Sequence, residues 1–405
     1  MSTSSIIPKV AYQLLNRMTS TISPVIVGHR GFKSKYPENT FLGFDKCFEA
    51  GGTVIETDLW LTKDNEIVIS HDQYTKRVFV DSDGNPTNYN ITETPYDPIL
   101  KHLKTIEGGY PLFTFRELLQ WFKKYIDTTQ SNDHKLQLDI KRFNPTKITK
   151  FIVQDLLTVH DDISWWYHRI QFGIWDLNFL KYLNQSDYFQ DKFGKVNKFG
   201  YDQFDIFNIS VNWRDSIHYI NYNFYLDESS PVDRVKIKLT GVSLIYISTW
   251  SVGFLTKFVP LLRIQNLKLY SWTVNNKLQY SYLNKVGKLA NLVEYGVISD
   301  YPDVMAKYKQ EDESLTETES GEMSPLIKSE SKDYYNEDGD LSIDLTLQQK
   351  FYHWIFVQFN LLVGKRVTID EQHFATKVDE NQVRLININP FFQWMFQKLQ
   401  KYGVF

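Results

Sequence analysis

The chain has 405 residues, 42% of them hydrophobic, which is enough for one large α/β domain of roughly 250 to 300 residues with appendages. A formal charge of −3 and a pI near 6.3 leave no broad basic surface, which argues against nucleic acid as a partner. The single cysteine, Cys47, excludes an internal disulfide and a multi-thiolate zinc site, and no run approaches the ~18 to 20 consecutive apolar residues that cross a bilayer.

Residues 1–24 carry Lys9 and Arg17, no acids and a short apolar stretch broken by Pro8 and Lys9, and read as a flexible leader. Short apolar, β-branched or aromatic runs then alternate with helix-like segments. The runs are Val25–His29, Val54–Asp58, Leu136–Lys141, Ile170–Trp175, Phe204–Val211, Gly241–Ile247, Leu267–Val274 and Gly296–Asp300. Eight buried parallel strands predict a closed (β/α)8 TIM barrel over residues 25–308, because closure removes the sheet edges. The turn chemistry of Thr62-Lys63-Asp64-Asn65 extends strand two into a hairpin that returns to His71. Residues 73–111, with Asp83-Gly84-Asn85-Pro86 and several prolines, read as an insertion lying over the C-terminal face as a small cap or lid.

Residues 309–344 are polar and acid-rich, and the composition predicts a disordered linker. Residues 345–405 are apolar and aromatic again, with Lys350, Lys365, Lys398 and Lys401 among or beside the aromatics. Two readings stand for this tail: a helix docked on the barrel, or a monotopic anchor at a membrane surface, and the mixture of rings and lysines favours the membrane.

The chemistry concentrates in Gly28-His29-Arg30-Gly31, Pro37-Glu38-Asn39-Thr40, Ile55-Glu56-Thr57-Asp58 and Ser70-His71-Asp72. Glu56 and Asp58 lie two apart on a strand and so share a face, where two hard oxygen ligands suit Ca2+ or Mg2+. An unpaired charge in so apolar a strand costs several kcal/mol, so a cation is the natural partner. Asp300 reads equally as a site residue or as a cap before Pro302, and Trp165, Trp166, Trp175 and Trp213 read as packing residues.

In order and spacing these pieces resemble the glycerophosphodiester phosphodiesterase family, as do Leu138-Asp139-Ile140-Lys141, Trp272-Thr273-Val274-Asn275 and Gly296 to Pro302. The resemblance covers residues 25 to about 308. It implies a divalent metal held by Glu56, Asp58 and Asp139, His29 and His71 as the acid and base, and Arg30 and Lys141 at the phosphate. Glu38 could hold Arg30, and Trp272 offers a wall for the glycerol or acyl-glycerol body. Asp139 stands where most of the family has glutamate, which leaves direct or water-mediated metal contact open.

Within the family, His71-Asp72-x-x-Thr75-x-Arg77, Asp139 and the apolar tail resemble the fungal phosphatidylglycerol phospholipase C branch. That resemblance implies hydrolysis of phosphatidylglycerol to diacylglycerol and glycerol 3-phosphate, on an intracellular membrane with the barrel facing the cytosol: endoplasmic reticulum, lipid droplet or mitochondrial surface. Two rivals remain at this point. One is an enzyme for water-soluble glycerophosphodiesters; the other is a catalytically silent barrel that binds lipid headgroups.

Overall fold

The computed structural model describes residues 22–197, 200–230, 234–321 and 371–383, and the single positions 347, 350, 351 and 354. Most of the leader, linker and tail lies outside the described residues. Among the described residues no helix is long and apolar enough to cross a membrane.

Eight parallel strands close on themselves. They are β1 (Val25–His29), β2 (Val54–Leu61), β6 (Lys135–Ile140), β7 (Ile170–Ile174), β10 (Asp205–Ser210), β11 (Gly241–Ile245), β12 (Lys268–Trp272) and β13 (Tyr295–Ser299). β13 pairs back to β1, and β1 to β2, so no barrel edge is left open. Every strand of the sequence reading is present, with ends shifted by no more than a few residues. The barrel is the predicted TIM fold.

The interior is filled rather than open. Val27, Val54, Phe207, Tyr270 and Ile298 form a plug inside the sheet. A second shell, including Phe122, Trp166, Phe172, Tyr222 and Met305, packs the outer strand faces against the helices. Polar and charged side chains at the strand C-termini sit above this plug, where a barrel presents its reactive groups.

Beyond the barrel height β2 continues and pairs with the antiparallel β3 (Ile67–Ile69), as the turn chemistry predicts. Asn65 takes the left-handed conformation (φ 64°) at the turn, and Thr62 Oγ1 donates to Asp64. The insertion after His71 adds a two-stranded ribbon, β4 (Phe79–Val80) with β5 (Lys104–Thr105). It owns a small core: Phe79, Ile91, Leu100, Leu103 and Leu112 pack on Trp60 and Val68 of the hairpin. The insertion thus packs on the hairpin and lines the space beside His71 with Val78, Phe79 and Thr105. A further antiparallel pair, β8 (Gly194–Asn197) with β9 (Gly200–Gln203), escaped the sequence reading because its residues are mostly polar and glycine-flanked.

Two findings correct the expected boundaries. The helix that opens at Pro302 runs to Gly321, past the expected linker start at 309. Lys277 pairs with Glu311 and Asn284 donates to Asp312, so the acidic stretch has partners on the barrel. Residues 322–344 of the linker lie outside the described residues.

The second correction concerns the tail, where residues 371–383 dock on the barrel as a strap. Phe374 is 3% exposed between Tyr222 and Tyr225, and Val378 is also buried. Lys181 Nζ donates to the His373 carbonyl, Tyr182 to Glu380, and the Lys147 N–H to the Glu380 carbonyl. For this segment the docked reading holds. Phe374→Ala should release the strap, because a buried phenylalanine carries roughly 3–5 kcal/mol at a core site. The expected result is at least ~10-fold faster amide exchange at Val378 and Lys147, whose N–H groups bond across the junction. Unchanged exchange would show that the apolar contact is dispensable.

Candidate active site

The loop after β1 is shaped by backbone geometry. Arg30 sits in the left-handed region (φ 53°), followed by Gly31 (φ 85°). This turn aims the Arg30 N–H at Glu56 Oε2 (2.9 Å) and leaves its guanidinium buried. Three residues of Pro37-Glu38-Asn39-Thr40 then have a task. Glu38 accepts from Arg30 Nη1 (3.2 Å), Asn39 donates to Asp58 Oδ2 (2.9 Å), and Thr40 caps the next helix, Phe41–Glu49, by accepting from the Gly43 N–H.

Glu56, Asp58 and Asp139 come together as expected, with candidate ligand oxygens all within 4.8 Å of one another and all three side chains buried. The β2–β6 register places Asp58 directly beside Asp139. Lys141 Nζ lies 2.6 Å from Asp58 Oδ1 and 2.6 Å from Asp139 Oδ2. Burial, then the facing Asp58 and Asp139, push the Glu56 carboxyl well above its ordinary range. Burial opposes ionisation of Asp58 too, but Lys141, His71 and Arg30 outweigh it and hold that carboxyl low. Three buried carboxylates with only oxygen donors fit a hard divalent cation, and Asn39 and Trp175 hold two of them from behind.

Trp175 corrects the sequence reading. Its indole Nε1–H donates to Asp139 Oδ1 at 2.6 Å, and its ring meets Trp272 edge-on at 5.8 Å. The residue is part of the site, not packing alone. Trp165, Trp166 and Trp213 are packing residues, as read.

Each histidine is held by a carboxylate through Nδ1. His29 Nδ1 is 2.7 Å from Asp300 Oδ1, and His71 Nδ1 is 2.6 Å from Asp72 Oδ1. An ionised carboxylate only accepts, so Nδ1 carries the proton and Nε2 is the nitrogen left for chemistry. Asp300 is itself fixed: Asn275 Nδ2 donates to Asp300 Oδ2 (2.9 Å), and the Asp300 N–H donates to Asn275 Oδ1 (3.0 Å). The site reading of Asp300 is thereby the one the geometry supports. Asn275 and Asp72 were within quoted motifs; Asn275 acts through Asp300 at the end of the next strand, and Asp72 through the adjacent His71 ring.

Burial, then Arg30 and Lys141, push the His71 imidazole down to about 3. Burial and Arg30 also lower His29, against the opposing pull of Asp300. Burial would raise Glu38, but Arg30 and Arg77 outweigh it and hold it at about 2. Groups depressed on folding bind more protons when unfolded, so they add stability above their ordinary values of 6.5 and 4.5. That contribution is lost as pH falls through the folded values. Glu56, raised on folding, runs the opposite way. The expected result is a melting temperature that drops between pH 6.5 and 3, with a shallower drop in His71→Asn, which removes one of the depressed groups. Equal slopes in wild type and variant would contradict the assignment.

Comparison with known proteins places the chain in a family. Residues 29–304 match the Glycerophosphoryl diester phosphodiesterase family. The chain is 44% identical over 52 residues to a glycerophosphodiester phosphodiesterase of Bacillus altitudinis, a stretch covering 13% of this chain and 21% of the relative. An equally short match, 50% identical over 52 residues, covers 13% of this chain and 21% of YqiK of Bacillus subtilis. A longer alignment joins it to YhdW of Bacillus subtilis, provisionally named as such an enzyme: 24% identity over 291 residues, 70% of this chain and 96% of the relative. The fold is similar to that of a solved glycerophosphodiester phosphodiesterase from Parabacteroides distasonis, with a TM-score of 0.50 and 16% identity over 72% of this chain and 99% of that one.

Proposed function

The chain belongs to the glycerophosphoryl diester phosphodiesterase family, and from that premise we propose that it hydrolyses glycerophosphodiesters, with phosphatidylglycerol as the substrate. The observation that carries the reading is the pair of carboxylate-held histidines beside a buried three-carboxylate cluster and the Arg30 guanidinium. Diacylglycerol and glycerol 3-phosphate are the products. Glu56, Asp58 and Asp139 hold a divalent cation, Ca2+ or Mg2+, which when bound neutralises charge on the phosphate.

The chain's own residues do the rest. Arg30 and Lys141 bind phosphate oxygens, and Trp272 with Trp175 walls the glycerol. One histidine Nε2 takes the proton of the headgroup 2-hydroxyl as that oxygen bonds to phosphorus. The other Nε2 protonates the diacylglycerol oxygen as its bond to phosphorus breaks. Water then opens the resulting cyclic phosphate with the two imidazoles in exchanged roles, giving glycerol 3-phosphate. Free histidines pushed down to the neutral form need substrate before one of them is protonated, and the phosphate anion supplies that bias.

The apolar tail supports a membrane-bound substrate: aromatic residues and lysines recur through 345–405, and the strap fixes part of that tail to the barrel. In this reading the barrel works from the cytosolic side of an intracellular membrane. Product analysis with phosphatidylglycerol vesicles and with glycerophosphoglycerol tests it. Diacylglycerol from vesicles supports the lipid substrate; cleavage of the water-soluble diester alone moves the activity to deacylated lipids.

A further inference from the structure

Arg77 carries no step of the chemistry above, yet it joins both halves of the site. Its Nε donates to Asp72 Oδ2 (2.6 Å) and its Nη2 to Asp72 Oδ1 (3.3 Å). On its other edge Nη1 donates to Glu38 Oε2 (3.0 Å) and Nη2 to Glu38 Oε1 (2.6 Å). Asp72 holds His71, and Glu38 Oε2 also accepts from Arg30. One planar fork therefore sets the orienting partner of an acid/base histidine and the anchor of the phosphate-binding arginine.

The support for Arg77 comes from the insertion. It ends the short turn Thr75–Arg77, and Thr75 is buried and bonded three times to its neighbours: its N–H donates to the Tyr89 carbonyl, and its Oγ1 accepts from the Tyr89 N–H and from Thr87. The next residues, Val78 and Phe79, enter the insertion's own core. The insertion is in this sense a bracket that delivers one guanidinium to the mouth.

We propose that Arg77 is a positioning residue that fixes His71 and Arg30 together through Asp72 and Glu38. The inference rests on the reading of His71 as an acid/base group and of Arg30 as a phosphate ligand. A lysine cannot replace it, because a point charge cannot hold two carboxylates two-pronged at once. Small displacements of reacting groups cost about 10²-fold in rate, so Arg77→Ala should lose about that factor in kcat on glycerophosphoglycerol, with Arg77→Lys losing most of it.

Two readouts separate positioning from mere support. The Arg77 side chain is 47% exposed, so the hole it leaves is open to solvent. Guanidinium chloride at tens of millimolar should restore at least ~10-fold of the activity in Arg77→Ala and none in Arg77→Lys, while calorimetric metal affinity stays at the wild-type value in both. Independently of turnover, 15N NMR of the His71 ring should show a single Nδ1-protonated tautomer in the wild type and a mixture in Arg77→Ala. An inactive wild type would sink the proposed function and leave the tautomer measurement to decide this inference. Wild-type kcat in Arg77→Ala, or an unchanged His71 tautomer, would overturn it.

Discussion

His29→Ala and His71→Ala should each lower kcat on glycerophosphoglycerol by ~10²- to 10⁴-fold, the usual worth of a positioned acid or base. Neither change should unfold the protein. Both rings are carried at the ends of elements whose packing does not depend on them: β1 is fixed by pairing with β2 and β13, and the His71 carbonyl accepts from the Trp60 indole whatever the side chain. The double variant should be little worse than either single one, because removing one partner already breaks the proton relay. Steady-state kinetics on the two single variants and the double variant, with near-ultraviolet circular dichroism as a fold check, decides this. Additive losses would mean that the histidines act in separate events.

The second large effect sets two neighbours on one strand against each other. Asp58→Asn should lower both cation affinity and stability. The carboxylate is 1% exposed and its charge is matched by Lys141 at 2.6 Å and Arg30 at 3.6 Å. Breaking a buried pair of this kind costs about 3–5 kcal/mol. Glu56→Gln should also weaken cation binding, but with the opposite sign in stability. Glu56 faces Asp58 and Asp139 in a buried setting that disfavours its charge, so a neutral amide relieves repulsion in the cation-free protein. Isothermal titration with Ca2+ and Mg2+, together with melting in chelator, reads both quantities. If Glu56→Gln lowers the melting temperature as much as Asp58→Asn does, the electrostatic account of the cluster is wrong.

How much of this was legible in sequence depends on the range of the contact involved. Glu56 and Asp58 share a face by the two-residue period of a strand, so their convergence follows from local geometry. The barrel follows from the repeated spacing of apolar runs, and all eight strands stand where those runs are. Trp175 was misread because its hydrogen bond to Asp139 crosses from the end of β7 to the end of β6, a relation set by the register and not by any local pattern.

Asp300 was ambiguous for the same reason, since its partner His29 is 271 residues away in sequence. The strap was hidden by composition. Residues 371–383 are polar apart from a few, and their hold on the barrel depends on Phe374 and Val378 with backbone bonds to Lys181, Gln185 and Lys147. For the same reason a truncation meant to remove the tail should be placed after Val383, not at 308 or 345. The shorter versions would strip a docked element from the barrel wall.

We propose a metal-assisted phosphodiester hydrolysis in which two carboxylate-held histidines act on a glycerophosphodiester. The most direct test is 31P NMR of glycerophosphoglycerol with the full-length protein, before chelation, after chelation, and after restoring Ca2+ or Mg2+. The expected result is conversion to glycerol 3-phosphate that stops with chelator and returns with the cation. Undiminished hydrolysis under chelation, or none with either cation restored, would contradict it.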